Sequence, residues 1–184
     1  MLPSELEERA RKIKLLLMDV DGVLTDGKLY YLPGPDGEMV ETKGFDSHDG
    51  VGLRSAHEVG LRTGIISGRQ SPAVVTRARI LGVTYIYQNC WEKLSAYKQI
   101  LTEAEVGEEE AAFIGDDFTD VPVMKRVGLA IAVANAREEV KAMAHYVTNS
   151  RGGSGAVREA IELILRAQNK WQIVLDRYGI DLSL

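Results

Sequence analysis

The chain has a single cysteine, Cys90, among its 184 residues, and it has no long hydrophobic run. One cysteine excludes an intrachain disulfide and is typical of a reducing compartment. The longest apolar runs fall well short of the roughly 20 residues of a membrane span. The charged first residues, MLPSELEERARK, lack the apolar core of a secretory signal. We therefore expect a cytoplasmic protein that makes no use of a membrane.

The chain also lacks a dense cluster of basic residues. Its formal net charge is -5, and no stretch gathers Lys and Arg closely enough to follow a phosphate backbone, so we expect no nucleic-acid partner. With 45% hydrophobic and 27% charged residues, the composition is that of a globular protein with a full core. The length suits a single domain over residues 1–184.

Short apolar runs alternate with helical patterns along most of the chain. This βαβ rhythm predicts an α/β fold, a doubly wound parallel sheet with helices on both faces. The rhythm breaks at residues 27–43, where Pro and Gly in PGPDG predict a small β-hairpin that projects from the sheet. Residues 169–184 form an apolar tail that we expect to pack either on its own domain or on a neighbouring subunit.

Three predicted strands end in polar residues. The strand LLLM runs into Asp19, the strand LRTGII ends at Ser67, and AAFIG is followed by Asp116. In doubly wound sheets, ligands bind at the carboxyl ends of the strands. We therefore expect these side chains to meet at one edge of the sheet.

The acidic residues near these strand ends would repel one another unless a cation lay between them. They are Asp19 and Asp21 in one loop, and Asp116, Asp117 and Asp120 in a later one. Oxygen ligands of this kind predict Mg²⁺. An EF-hand calcium loop would also explain DVDG, but the loop has no closing glutamate. The aspartates could instead do no more than cap turns and helices.

A carboxylate beside Mg²⁺ can attack phosphorus and form an aspartyl phosphate. Asp19 is placed for this role, and Asp21 can protonate the leaving alcohol and later deprotonate the attacking water. The phosphoryl oxygens need hydrogen-bond donors and a cation, for which Ser67, the Gly68 amide and Lys93 are candidates. Taken alone, Lys93 would be interpreted as an exposed helix lysine.

Four motifs together resemble those of the haloacid dehalogenase superfamily of phosphatases. They are DVDGVLTDG, ISGR, the lysine of WEKLSAY, and GDDFTD, and the resemblance covers about residues 13–168. The hairpin, the sequence VPVMKRVGLAIAVA and the sequence GGSGAVRE resemble the 3-deoxy-D-manno-octulosonate 8-phosphate phosphatase family. This resemblance implies a Rossmann-like core without a cap domain.

The resemblance also implies roles for the acidic residues. Asp19 would be the nucleophile, and Asp21 the acid/base and a metal ligand through its backbone carbonyl. Asp116 would be a side-chain ligand of Mg²⁺. Asp117 and Asp120 would orient these groups.

For the function, the resemblance implies a Mg²⁺-dependent phosphomonoesterase, and we expect its substrate to be the sugar-acid phosphate 3-deoxy-D-manno-octulosonate 8-phosphate. Ser67 and Lys93 would bind its phosphate, and Arg69 is expected near its carboxylate, where a planar guanidinium suits the geometry. Gaps of roughly 25 residues between the motifs are too short for a covering domain. The hairpin and the tail are therefore the segments that could cover the active site. The resemblance implies homotetramers in which a neighbouring subunit completes each site.

One position departs from the family pattern. His48 precedes Asp49-Gly50, where family members commonly carry Arg or Lys, so the charge at this position would depend on pH. A nonulosonic acid 9-phosphate therefore stays open as the substrate. Two functions without turnover also stay open: a phosphoacceptor similar to a response-regulator receiver, and a partner subunit with a decayed site.

Overall fold

The computed structural model describes residues 4–181. Its helices are α1 Ser4–Lys12, α2 Ser47–Glu58, α3 Pro72–Ile80, α4 Lys93–Ala104, α5 Val121–Met124, α6 Glu138–Lys141, α7 Ala156–Ala167 and α8 Trp171–Arg177. Its strands are β1 Leu15–Met18, β2 Tyr30–Pro33, β3 Met39–Thr42, β4 Arg62–Ile66, β5 Tyr85–Tyr87, β6 Ala111–Gly115, β7 Leu129–Ala132 and β8 Tyr146–Val147. Within residues 4–181, no helix combines the length and the apolar character that crossing a membrane requires.

Six strands form one sheet in the order β5-β4-β1-β6-β7-β8, and every pair is parallel. The prediction of a doubly wound parallel sheet is therefore confirmed. From β1 the chain builds outward through β4 and β5, and then returns to the other side of β1 for β6. The crevice at such a reversal is where ligands bind in this class of fold.

The strand β1 lies at the centre of this sheet. All four of its residues are fully buried, as expected for a strand covered on both faces. Its register with β6 continues one residue past the strand, because the Asp19 amide donates a hydrogen bond to the Ile114 carbonyl at 3.0 Å. The backbone of Asp19 is thus held by the sheet itself.

The predicted hairpin is also confirmed. β2 and β3 pair antiparallel, with Tyr30 opposite Thr42 and Pro33 opposite Met39. All four residues of β2 are exposed, so the hairpin stands away from the core. Gly37 in its turn has a φ of +83°, a conformation that favours glycine.

Three elements lie outside the rhythm predicted from the sequence: α1, β8 and α8. α1 is supported by ion pairs four residues apart, such as Arg9 with Glu5 at 3.1 Å. α8 comes from the predicted apolar tail, and it buries Trp171, Val174 and Leu175 in the core of its own chain. Residues 178–181 are exposed, and the rest of the predicted tail, 182–184, lies outside the described residues.

Candidate active site

A cavity of about 130 Å³ opens at the carboxyl ends of β1 and β4. Six residues predicted from the sequence line it: Asp19, Asp21, Ser67, Gly68, Arg69 and Lys93. Trp91 and Thr119 complete the lining, and neither stood out in the sequence.

Asp19 and Lys93 form the floor of the cavity. The Lys93 ammonium lies 2.8 Å from Asp19 Oδ1, and the Lys93 side chain is only 2% exposed. Lys93 is the first residue of α4, and the chain enters that helix directly after passing the end of β5. Its burial beside Asp19 sets it apart from the exposed helix lysine that the sequence alone would suggest.

The same ammonium lies 2.6 Å from Asp120 Oδ1, and Asp120 is fully buried. Burial lowers the pKa of Lys93, but the two neighbouring carboxylates outweigh it and hold the pKa above its usual value. Burial raises the pKa of Asp19 to about 6, with Lys93 opposing and Asp120 adding to the rise. Lys93 therefore keeps its charge, and that charge favours the ionised form of Asp19.

The second oxygen of Asp120 organises the loop after β6. It accepts hydrogen bonds from the Asp116 amide at 2.9 Å and from the Asp117 amide at 3.3 Å. The Asp117 side chain, by contrast, is exposed and accepts a hydrogen bond from the neighbouring Phe118 amide at 2.7 Å. Of the two residues expected to orient the site, Asp120 makes the buried contacts.

Among the described residues of the cluster, Asp116 is the acidic residue that lacks a hydrogen-bond partner for one side-chain oxygen. Its Oδ1 is buried and has no hydrogen-bond partner within residues 4–181. Burial, followed by repulsion from Asp19 and Asp120, raises the pKa of Asp116 to about 8. A buried carboxylate without a partner is costly, so this site favours a cation.

The donor set fits a divalent cation that prefers oxygen. Carboxylate oxygens of Asp19, Asp116 and Asp120 all lie within 4.8 Å of one another. Asp120 accepts hydrogen bonds from Lys93 and two backbone amides, whereas Asp116 Oδ1 has no partner within residues 4–181 and is free to bind an ion. Hard oxygen ligands of this kind suit Mg²⁺.

Gly22 lets the first acidic loop approach Asp116. Its φ is +91°, and a Cβ atom at this position would lie 2.2 Å from Asp116 Oδ2. Any other residue would therefore displace the Asp116 carboxylate. This close approach accounts for the glycine that directly follows Asp21.

Ser67 and its neighbours form the second wall. The Ser67 amide donates to the Tyr87 carbonyl at 2.9 Å, and Ser67 Oγ accepts a hydrogen bond from the Arg69 amide at 3.2 Å. The Trp91 ring lies beside Gly68, 3.5 Å from where a Cβ would stand. The backbone here is fixed on both sides, while the Arg69 side chain stays 42% exposed.

The Asp21 side chain does not join the acidic cluster. It pairs with Lys43, a buried residue that follows β3. Lys43 also lies 3.2 Å from Glu41. Neither hairpin residue was singled out from the sequence, because nothing local in EMVETKG indicates that a lysine turns inward.

The GGSG segment contacts the first acidic loop from outside the cavity. The Gly153 amide donates to the Val23 carbonyl at 2.9 Å, and a Cβ on Gly152 would lie 1.6 Å from the Gly22 carbonyl oxygen. This glycine pair therefore packs against the backbone of the DVDG loop. His48 lies elsewhere, with its side chain 82% exposed, and it does not line the cavity.

Comparisons with known proteins agree with this geometry. A family model described as haloacid dehalogenase-like hydrolase matches residues 79–161. The chain is 45% identical over 167 residues to the 3-deoxy-D-manno-octulosonate 8-phosphate phosphatase of Yersinia pestis, covering 91% of this chain and 87% of that protein. The corresponding phosphatase of Escherichia coli strain K12 is 44% identical with the same coverage.

Solved structures show the same likeness. The 3-deoxy-D-manno-octulosonate 8-phosphate phosphatase of Moraxella catarrhalis, in complex with magnesium, phosphate and the sugar acid, superposes with a TM-score of 0.90. It is 38% identical, and the match covers 96% of this chain and 99% of that one. The Yersinia pestis structure has a TM-score of 0.87 at 43% identity, covering 93% and 90% of the two chains.

Proposed function

Because this chain belongs to the 3-deoxy-D-manno-octulosonate 8-phosphate phosphatase family of haloacid dehalogenase-like hydrolases, we propose that it hydrolyses that sugar-acid phosphate to the free sugar acid and phosphate. The observation that supports the proposal is that Asp19, Asp21 and Lys93, which we propose as the nucleophile, the acid/base and the phosphate-binding cation, line one cavity. Relatives at 42–45% identity are 3-deoxy-D-manno-octulosonate 8-phosphate phosphatases.

In the first step, an Asp19 oxygen attacks phosphorus and forms an aspartyl phosphate. The bond from phosphorus to the sugar oxygen breaks, and Asp21 gives its proton to that oxygen. Lys93 and Ser67 lie at the cavity wall where the phosphoryl oxygens would bind, and Lys93 places a fixed positive charge there.

In the second step, a water molecule attacks the phosphorus of the aspartyl phosphate. Asp21 takes a proton from that water, the bond between phosphorus and Asp19 breaks, and phosphate leaves. Asp19 is thereby freed of its phosphoryl group, and Asp21 again carries the proton that it gave up in the first step. An acid/base in the same cavity as the nucleophile supports turnover over a long-lived phosphoacceptor.

Asp19 and Asp116, with the Asp21 carbonyl, would hold the Mg²⁺. When bound, the ion neutralises the carboxylates and the charge of the phosphoryl group. The fit rests on the unpaired buried oxygen of Asp116 and on the close grouping of the acidic side chains.

We further propose a cytoplasmic homotetramer. The family resemblance implies the tetramer, and the exposed apolar side chains of the hairpin support it, since exposed patches of this kind mark interaction surfaces. They are Tyr30, Tyr31, Leu32, Met39 and Val40. Light scattering coupled to size exclusion measures the mass in solution, and a monomeric mass would contradict this assembly.

A substrate panel tests the function. We expect kcat/KM for 3-deoxy-D-manno-octulosonate 8-phosphate to exceed that for a nonulosonic acid 9-phosphate by at least about tenfold, with activity lost on chelation of Mg²⁺. Asp19→Asn should form no phosphoenzyme and show no turnover. A preference for the nonulosonate would overturn the choice of substrate while leaving the reaction type intact.

A further inference from the structure

The base of the hairpin delivers a buried cation to the active site. Lys43 follows β3, and its side chain is 1% exposed. Its ammonium forms an ion pair with Asp21 Oδ1 and lies 3.2 Å from Glu41 Oε1. The Glu41 oxygen is also buried, and it contacts Lys43 as an ion pair without hydrogen-bond geometry.

A buried ammonium is expensive unless carboxylates surround it. The hairpin provides little other burial to offset that cost, because every residue of β2 and the first two residues of β3 are exposed. A two-stranded ribbon of this kind is marginal by itself. The contact of Lys43 with Asp21 therefore fixes where the hairpin meets the domain.

Both oxygens of the Asp21 carboxylate face cations. Lys43 holds Oδ1, while Arg69 Nε lies 4.0 Å from Oδ2. Glu41 links the two cations, since its Oε2 lies 3.5 Å from Arg69 Nη1. Two acidic and two basic side chains thus form a closed group of four contacts beside the cavity.

This group sets the direction of the Asp21 carboxylate. Asp21 lies two residues after Asp19, and its own rotamers would allow several orientations. The pairing with Lys43 holds the Asp21 side chain at the base of the hairpin, and Asp21 is not among the grouped carboxylates of Asp19, Asp116 and Asp120. An acid/base acts only when held within hydrogen-bond reach of the leaving oxygen.

We propose that Lys43 is a positioning residue for Asp21. Through Lys43, the hairpin contributes to the active site. The proposal rests on the proposed function, because it takes Asp21 as the acid/base. Lys43 does not line the cavity, so it acts through Asp21 and not on the substrate.

Lys43→Met removes the charge and keeps most of the side-chain volume. For the sugar-acid phosphate we expect kcat to fall about 10- to 100-fold, part of the 100- to 10,000-fold that acid–base catalysis usually contributes. KM should change less than about threefold, because Ser67 and Lys93 are untouched. Lys28→Met is the matched control, since Lys28 is an exposed hairpin lysine paired with Asp26, and it should retain wild-type kcat.

p-Nitrophenyl phosphate separates the two steps. Its leaving group needs no proton, so Lys43→Met should still phosphorylate Asp19 while the later attack of water is slow. We expect a burst of nitrophenol approaching one equivalent per site, followed by slow turnover. Equal losses on both substrates without a burst would overturn the proposal, because a loss of folded protein reduces every step alike.

A double-mutant cycle tests whether Lys43 acts through Asp21. Lys43→Met should have little further effect in an Asp21→Asn background, measured as single-turnover phosphorylation. An additive loss would overturn the proposal. Should Lys43→Met fail to fold by circular dichroism, Lys43→Gln retains a donor for Asp21 and is measured in the same way.

Different results would overturn the proposed function and the proposed role of Lys43. Wild-type protein that prefers another phosphate ester would overturn the proposed substrate and leave the nitrophenyl phosphate assay valid. Unchanged kinetics in the Lys43 variants of an active wild-type enzyme would overturn the role of Lys43 alone.

Discussion

The carboxylate of Asp120 lies 2.6 Å from the ammonium of Lys93, and both side chains are buried. These residues are far apart in the sequence, at the start of α4 and in the loop after β6. Their contact ties the buried Lys93 ammonium to the loop that carries Asp116, because the other Asp120 oxygen accepts a hydrogen bond from the Asp116 amide. The position of the cation and that of the acidic cluster are thus set by one carboxylate.

Asp120→Asn should destabilise the protein by about 3 kcal/mol, because it leaves a buried ammonium with one carboxylate partner instead of two. Urea denaturation monitored by circular dichroism measures the free energy of unfolding. Asp117→Asn is the control, since this exposed residue should change stability by less than about 0.5 kcal/mol. Equal effects of the two substitutions would contradict the structural role of Asp120.

The pKa of Asp116 predicts how stability depends on pH without metal. Its carboxyl ionises near pH 3.8 in the unfolded chain, and its pKa in the folded protein is about 8. Between these values the folded state binds the extra proton, so the free energy of unfolding should fall as pH rises from about 4 to about 8. The contribution is fully present at low pH and is lost through the folded pKa.

Asp116→Asn should remove this part of the slope, measured by urea denaturation in the presence of a chelator. Asp117→Asn should retain it. Added Mg²⁺ should stabilise the wild-type protein more at higher pH, because the ion binds the ionised carboxylate. Identical pH slopes for wild type and Asp116→Asn would show that the Asp116 carboxyl is not held protonated.

Gly22→Ala should reduce the activity of the site more than it disturbs the backbone conformation. The new Cβ would lie 2.2 Å from Asp116 Oδ2, so the carboxylate must move, and we expect kcat/KM to fall about 100-fold with weaker Mg²⁺ binding. Gly37→Ala is a matched control, because its φ of +83° resembles the +91° of Gly22 while nothing lies within 4 Å of its Cβ.

Both glycine substitutions should cost about 1–2 kcal/mol of stability for the left-handed backbone. Only Gly22→Ala should also lose activity. A comparable loss of activity in Gly37→Ala would mean that backbone strain, and not the contact with Asp116, limits the enzyme.

Asp49 caps a helix to which it does not belong. Its carboxylate accepts hydrogen bonds from the Arg158 amide at 2.7 Å and the Gly155 amide at 3.3 Å, at the start of α7. Asp49→Ala should therefore cost about 1–2 kcal/mol. It should also lower kcat, because the adjoining Gly152 and Gly153 pack on the DVDG loop.

Asp46→Ala provides the comparison for Asp49. Asp46 caps its own helix α2 through the His48 amide at 2.7 Å, so its loss should cost about 1 kcal/mol and leave kcat near the wild-type value. Equal kinetic effects of the two substitutions would argue against a link between the α7 cap and the active site.

The sequence predicted the sheet and the residues at its edge because both depend on local patterns. Continuous apolar runs predicted buried parallel strands, and the polar residues that follow them had to meet where parallel strands end. Asp19, Ser67 and Lys93 accordingly line one cavity. The hairpin was equally predictable, since Pro and Gly mark its turn.

The contacts of Lys43, Asp120 and Asp49 could not be predicted in this way. Each joins residues that are distant along the chain, and whether a side chain turns inward depends on how loops pack against one another. The raised pKa of Asp116 likewise follows from burial beside other acids, which exists only in the folded protein. α1 and β8 were missed because neither carries an apolar run of the length that marked the other elements.

The parallel strands and the identity of the residues at their ends were thus determined by the sequence alone, because hydrophobic periodicity is a local property. Tertiary structure decided which charges face one another. Asp21 turns to Lys43 and Asp120 to Lys93 because buried charges must find partners, and only packing determines which partners lie within reach.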